Sequence, residues 1–301
     1  MSCPPATSYT EGRSLAQRLR VDKLPARVFS LSPTAGIVIT RLWYRYMTHL
    51  DRKHDMTFMN YGYADTAPDA SFPALAPEDE ANRYCIQLYQ HLIAGVDLGG
   101  RAVLEIGCGR GGGASYVARY LRPASLTGID LAASAVDYCN RHYCIAGLTF
   151  ARGDAEALAF GPSSFDVVIN VESSHSYRSV PRFLAEVRRV LKPDGWFLFA
   201  DFRRREEMPA LRQQLVEAGF EVVRATDITP NILRALVVDN ERKLALIHRS
   251  VPWLIRKTFK EFAAVPGSAT YESFSERRWE YTSFVARPCR SDTPTQPQTD
   301  D

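Results

Sequence analysis

The chain has 301 residues, enough for one large domain that buries a full core without disulfide or metal staples. Its 46% hydrophobic and 24% charged residues exclude a disordered or fibrous chain, and 37 Lys+Arg against 34 Asp+Glu leave a net charge of only +3, too little to draw nucleic acid by bulk attraction. No repeat recurs at a fixed period, which excludes solenoids, collagen and coiled coils.

Cys3, Cys85, Cys108, Cys139, Cys144 and Cys289 form no CxxC pair and complete no zinc pattern. The start MSCPPATSYTEGR lacks the charged n-region and apolar run of a secretory signal, and no apolar stretch approaches the ~20 residues that span a bilayer. These features predict reduced thiols in a soluble, cytoplasmic protein, monomeric or homodimeric, without a membrane span.

In chain order, Val38, Leu42, Tyr46 and Leu50 recur every fourth residue with Arg41 and Arg45 beside them, predicting a helix packed on its own protein or touching a membrane surface. An aromatic turn, MNYGYAD, follows from Met59. Glu78, Asp79 and Glu80 then load the first turn of a helix expected to reach about Ala94. Next, AVLEI, LTGI, LTF, FDVVINV and WFLFADF alternate with the helical patterns SYVARYLR, SAVDYCNRHY and VPRFLAEVRRVL. Such alternation specifies a parallel sheet with helices on both faces. Leu191 to Gly195, LKPDG, is expected to stop one helix and turn into the next strand.

Beyond Asp201 come the helix LRQQLVEAGF, the strand EVVRATDI, a helical Arg/Lys-rich stretch and a last alternating strand, WEYTSFVAR. The expected organisation is an arm and lid helix over 1–77, an α/β domain over 78–287 with a lid insert at about 228–278, and a disordered tail over 288–301.

Residues 103–113, VLEIGCGRGGG, place Gly107, Gly109 and Gly112 in a G-x-G-x-x-G run between a strand and a helix, with Asp130 ending the next strand. That spacing alone fits a dinucleotide. Glu105, however, would repel a pyrophosphate and suits an ammonium or sulfonium cation. Asp154, after the third strand, offers a carboxylate to an adenine amino group, and the final strand is positioned to pair antiparallel.

Together these segments resemble the class I S-adenosylmethionine-dependent methyltransferases over roughly Glu78 to Arg287. The resemblance implies an α/β, Rossmann-like seven-stranded sheet with its last strand antiparallel, and S-adenosyl-L-methionine as cofactor. It implies that Gly107, Cys108, Gly109 and Gly111 admit the methionine portion beside Glu105. Asp130 and Leu131 would meet the ribose, Asp154 and Ala155 the adenine, and Asn170 the methionine end. Tyr61 and Tyr63 would press on the cofactor from the N-terminal lid.

A hydroxyl acceptor stays protonated at neutral pH, so its methylation calls for a general base, and neutral histidine suits that task. His175 follows the fourth strand at the edge where the sulfonium should lie, and Asp201 ends the neighbouring fifth strand, where it can orient the ring. Glu172 is the rival base, better suited to anchoring a loop or substrate, and Arg203-Arg204-Arg205 reads as a solvated run. With no third carboxylate at suitable spacing, no metal is expected. Nucleic-acid amino-methyltransferases carry Asn/Asp-Pro-Pro-aromatic after the fourth strand; Asn-Val-Glu-Ser-Ser stands there instead.

The segment ESSH…ADF resembles sugar and natural-product O-methyltransferases. MNYGYAD, RGDAEALAF and NVESSHSYRSVPRFLAEVRRVLKPDGWFLFADFR are similar to phthiotriol and phenolphthiotriol dimycocerosate methyltransferases and to polyketide or peptide O-methyltransferases. The implied acceptor is an apolar molecule bearing a hydroxyl, under a lid formed by the insert; Trp43, Phe58, Trp253, Phe259 and Phe262 either stand above the sheet against it or are the inserts' own packing. The alternatives are a cyclase or cofactor-binding protein on the same fold, or a carbon or nitrogen methyltransferase.

Overall fold

The computed structural model describes residues 56–65 and 74–289. The expected helix around Val38–Leu50, Trp43 and the tail beyond residue 289 lie outside the described residues.

Seven strands form one sheet in the order β3-β2-β1-β4-β5-β7-β6. They are β1 (Ala102–Ile106), β2 (Ser125–Asp130), β3 (Leu148–Arg152), β4 (Phe165–Val171), β5 (Leu191–Arg204), β6 (Phe220–Asp227) and β7 (Trp279–Pro288). The first five are parallel; β7 runs antiparallel between β5 and β6. Between them lie α1 (Arg83–Ile93, before β1), α2 (Gly112–Tyr116), α3 (Ala133–His142), α4 (Val180–Val190) and α5 (Met208–Glu217).

The continuous apolar runs of the sequence are strands buried on both faces, and the period of two sends neighbours to opposite layers. Val103, Val167, Ile169 and Leu198 pack with Ile86, Leu88 and Leu92 of α1 and Val136 of α3. Leu104, Val168, Phe197 and Phe199 pack instead with Phe183, Leu184 and Val187 of α4 and Leu211 and Leu215 of α5. Ser179 starts α4, its side chain accepting from the Arg182 N–H, with Pro181 in the first turn where no N–H is needed.

As expected, α4 stops at Val190 and the chain passes into the next strand. Leu191–Gly195 is not a free turn: Leu191 is buried, pairs with Phe165, and belongs to β5, whose register against β4 shifts between Phe165 and Val167. Burial of one leucine draws the turn into the sheet as an irregularity.

The insert between β6 and β7 folds as α6 (Thr229–Val238), α7 (Asn240–Ser250), α8 (Arg256–Phe262) and α9 (Ala269–Ser275). The N-terminal strap, residues 56–65, runs over the carboxyl ends of the strands, held by Gly112 N–H to Thr57 O (3.2 Å) and Tyr63 N–H to Tyr84 O (2.9 Å). No helix of the described residues is long and apolar enough to cross a membrane.

β1 lies between β2 and β4, so the loops after β1 and β4 leave in opposite directions and open a crevice there. Phe199 is fully buried on the α4/α5 side, stacked between Phe197 (5.3 Å) and Phe284 (5.7 Å). Phe199→Ala should lower the unfolding free energy by ~3–5 kcal/mol in urea denaturation; a loss under ~1 kcal/mol would contradict this packing.

Candidate active site

The crevice is floored by the turn after β1. Gly107 and Cys108 both donate to Ile129 O (2.8 and 3.0 Å), and Gly107, Gly109 and Gly111 adopt φ of +72°, +53° and +76°, a region that disfavours side chains. A Cβ on Gly107 would stand 2.5 Å from Ser173 Oγ, so the β1 and β4 edges approach this closely only because nothing is there. A Cβ on Gly109 would meet only Met59 Sδ, at 3.8 Å; the bare backbone leaves room in the cleft.

Gly107, Cys108, Gly109, Asp130, Leu131, Asp154 and Ala155 all line this cleft. Asp130 accepts from the N–H groups of Gly109 (3.0 Å) and Ala132 (2.8 Å), which fixes its carboxylate at the end of β2 with acceptor capacity to spare for hydroxyls. Glu156 joins Asp130 and Asp154 on the walls, so three carboxyl groups face the cleft. A bare-backbone cradle, an oriented acid on β2 and this negative lining fit a cationic nucleoside such as S-adenosylmethionine.

Level register of β4 and β5, with Val171 opposite Ala200, sets the turn after β4 beside Asp201. There His175 Nδ1 lies 2.9 Å from Asp201 Oδ1. Asp201 is fully buried and also accepts from Ser174 Oγ (2.6 Å) and the N–H groups of His175 (3.0 Å) and Phe202 (2.9 Å). Burial alone would raise its pKa; the His175 ring, the Arg203 guanidinium 3.2 Å away and these donors hold it well below the usual carboxylate range. An ionised Asp201 can only accept, so Nδ1 is the nitrogen that donates to it, and in the neutral ring Nε2 is the one left with a lone pair. The ring, 28% exposed, packs on Phe202 at 4.5 Å. Phe202 in turn contacts Trp279, Phe274 and Tyr61 at 5.3–5.6 Å.

Comparison with known proteins agrees with this geometry. Residues 104–199 match the model of a methyltransferase domain. The fatty-acid O-methyltransferase of Mycolicibacterium smegmatis is 40% identical over 244 residues, covering 81% of this chain and 88% of that protein. A phthiotriol/phenolphthiotriol dimycocerosates methyltransferase of Mycobacterium tuberculosis is 40% identical over 248 residues, covering 81% and 91%. The chain belongs to the class I S-adenosylmethionine-dependent methyltransferases. Among solved structures, a putative sarcosine dimethylglycine methyltransferase from Galdieria sulphuraria superposes with a TM-score of 0.64 at 14% identity over 82% of this chain and 98% of that one. The 4+2 cyclase SpnF gives 0.62 at 20% identity over 84% and 94%. At such identities the likeness is one of fold.

S-adenosylmethionine is therefore the methyl donor of this methyltransferase. Not every residue expected around it stands on the cleft wall. Glu105 is buried behind Tyr89, whose hydroxyl donates to it at 2.6 Å, and burial pushes its carboxyl up to about 7. Asn170 is fully buried, its amide held by Ile106 O (2.9 Å), Ser173 Oγ (2.7 Å) and Tyr177 Oη (3.0 Å). Gly111 turns against Tyr143, Phe150 and Cys139. Tyr63 stacks on His91 at 4.4 Å in the core, and Tyr61 packs on Phe202 and Phe274 beside the His175 edge. The strap residues on the cleft are Thr57, Phe58, Met59 and Asn60.

Sequence reasoning passed over Tyr89, Ser173 and Tyr177, which also line the cleft and carry no motif of their own. The structure decides two further features. Arg203 is not solvated; it bonds Ser174 Oγ at 2.7 Å and Asp201, whereas Arg204 is 67% exposed. The insert aromatics do not wall the cleft: Phe259 packs within the insert and Trp253 points outward.

Glu172, in the left-handed region at φ +48°, accepts from Tyr61 N–H (2.8 Å) and the Tyr281 hydroxyl (3.0 Å), while Lys243 Nζ donates to Tyr61 O (3.0 Å). Strap, insert and sheet thus meet at one residue, Tyr61. Burial pushes the Glu172 carboxyl up to about 8 against those two bonds. Holding its proton more tightly folded than unfolded, it stabilises fully below the ordinary carboxyl value and loses that as pH rises through about 8. The melting temperature of wild type should therefore fall more steeply from about pH 5 to 9 than that of Glu172→Gln; parallel curves would refute this.

Gly107→Ala must move Ser173 and strain the backbone. Calorimetric titration should show cofactor affinity reduced by more than ~10-fold, and unchanged affinity would remove the glycine turn from the site.

Proposed function

We propose that this methyltransferase transfers a methyl group to a hydroxyl of a large, mostly apolar, lipid-like acceptor, with His175 as general base and Asp201 as the group that orients it. The observation that carries the reading is the His175 Nδ1–Asp201 contact of 2.9 Å, on the turn after β4 whose Ser173 and Ser176 line the cleft. It leaves Nε2 as an acceptor for the hydroxyl proton, and the buried carboxylate stabilises the imidazolium that results.

Bound in the cleft, S-adenosylmethionine supplies an electrophilic methyl on a positively charged sulfur. Asp130 is assigned to the ribose hydroxyls, Asp154 and Ala155 to the adenine, and the backbone of Gly107 to Gly109 to the methionine portion. Arg203 and Ser174 keep Asp201 ionised and in place, so they act through it as positioning residues. Phe202 and Trp279, partly exposed beside the His175 ring, offer an apolar face to the acceptor. The strap over the cleft excludes water from the transfer.

The relatives at 40% identity, one named for fatty acids and one for phthiotriol and phenolphthiotriol dimycocerosates, support a lipid-like acceptor. Nothing in the glycine turn or the His–Asp pair is broken in a way that would favour a cyclase without transfer. The test uses labelled methyl donor with long-chain alcohols and fatty acids. His175→Ala should lose ~10²–10⁴-fold in turnover on a hydroxyl acceptor while its cofactor affinity is unchanged. Full rate on hydroxyl acceptors would end the base assignment. Carboxylate acceptors, which bring no proton to remove, should be far less sensitive to the same change. Asp130→Ala should weaken cofactor binding by ~10-fold or more, and an unaltered affinity would withdraw its ribose role.

A further inference from the structure

The insert carries a face that neither the core nor the cleft uses. After α7 the chain turns through Val251 and Pro252 into a single 3-10 turn, Trp253–Ile255, and enters α8. The inner side of this tip is filled: Ile247, Val251, Phe259 and Val265 pack together, with Ile255 and Met56 against them. Arg256 ties the tip down, donating from Nε to Val251 O (2.9 Å) and from Nη2 to His248 O (2.8 Å). Left outside are Trp253, 74% exposed, and Leu254, 72% exposed, the two most exposed large apolar side chains among the described residues.

Charge singles out the same place. From Ala245 to Lys260 the sequence holds Arg249, Arg256, Lys257 and Lys260 and no Asp or Glu, although the whole chain nets only +3. Arg249 and Lys257 are exposed and Lys260 is partly so. A protruding Trp–Leu pair within a basic collar suits a medium that yields around it and is negatively charged. Indole rings favour the headgroup level of a bilayer, and nearby Lys and Arg are drawn to anionic lipid.

We propose that the Trp253–Leu254 tip docks the enzyme on an anionic lipid bilayer surface. The indole and the leucine enter the headgroup region, and Arg249, Lys257 and Lys260 face the lipid phosphates. The tip belongs to the same unit as the lid: α7 carries Lys243, which holds the strap at Tyr61. The same helix lines a groove of about 660 Å³ whose walls share Thr57, Phe58 and Gly112 with the cofactor cleft. Docking therefore sets the bilayer against the helix that flanks the reaction site. This inference stands whichever atom accepts the methyl group.

The full chain is sedimented with vesicles of phosphatidylcholine, alone or containing phosphatidylglycerol. Wild type should partition onto the anionic vesicles and release at high salt. The variant Trp253→Ser with Leu254→Ser, and separately Lys257→Glu with Lys260→Glu, should each lose about tenfold or more in partitioning. Both should keep wild-type cofactor affinity, since none of these residues lines the cleft. A wild type that stays in the supernatant overturns the proposal. So do tip variants that still partition like wild type, or equal binding to uncharged vesicles.

Discussion

The close approach of the glycine turn to the end of β4 organises this molecule. Gly107 has no side chain where a Cβ would lie 2.5 Å from Ser173 Oγ. That gap lets Ser173, Tyr177 and Asn170 form one hydrogen-bonded cluster against β1. The cluster fixes the turn that also carries Ser174 and His175. One steric allowance thus sets both the nucleoside cleft on its β1–β2 side and the His–Asp edge on its β4–β5 side, and a clash there would disturb the two together.

Electrostatics then divides the carboxylates by task. Asp201, fully buried, is kept ionised because histidine, arginine, a hydroxyl and two backbone donors surround it. Glu172, just past the end of the neighbouring β4, accepts among the described residues from a backbone N–H and a phenol, and its proton is retained to about 8. The same carboxyl group is driven in opposite directions by the number and charge of its donors. An ionised Asp201 orients a histidine ring, whereas Glu172 serves as a latch.

That latch has a mechanical consequence. Tyr61 is gripped at its N–H by Glu172 and at its carbonyl by Lys243, so strap, insert and sheet are joined through a single residue. Its ring rests on Phe202, which also touches His175. The strap, the insert and the His175 edge are thereby joined through packed neighbours.

By itself the sequence determined the fold class and the cradle. Strand runs such as AVLEI and FDVVINV announce burial on both faces, and glycines at 107, 109 and 112 with acids at 130 and 154 announce a nucleoside cleft, because local chain chemistry dictates both. The pairing of His175 with Asp201 was legible because one follows β4 and the other lies in β5, strands expected to be neighbours; the structure carries β5 past Asp201 to Arg204. Only the tertiary structure decided the rest. Glu105 and Tyr63 sit behind the wall, not on it, since Tyr89 and His91 come from α1, distant in sequence. Arg203 turned inward to Asp201 while Arg204 stayed in solvent, a choice that alternation along β5 makes and a run of three arginines conceals. The insert aromatics followed the same logic: whether Phe259 or Trp253 is buried depends on which side of a turn meets the neighbouring helix, and composition carries no record of that.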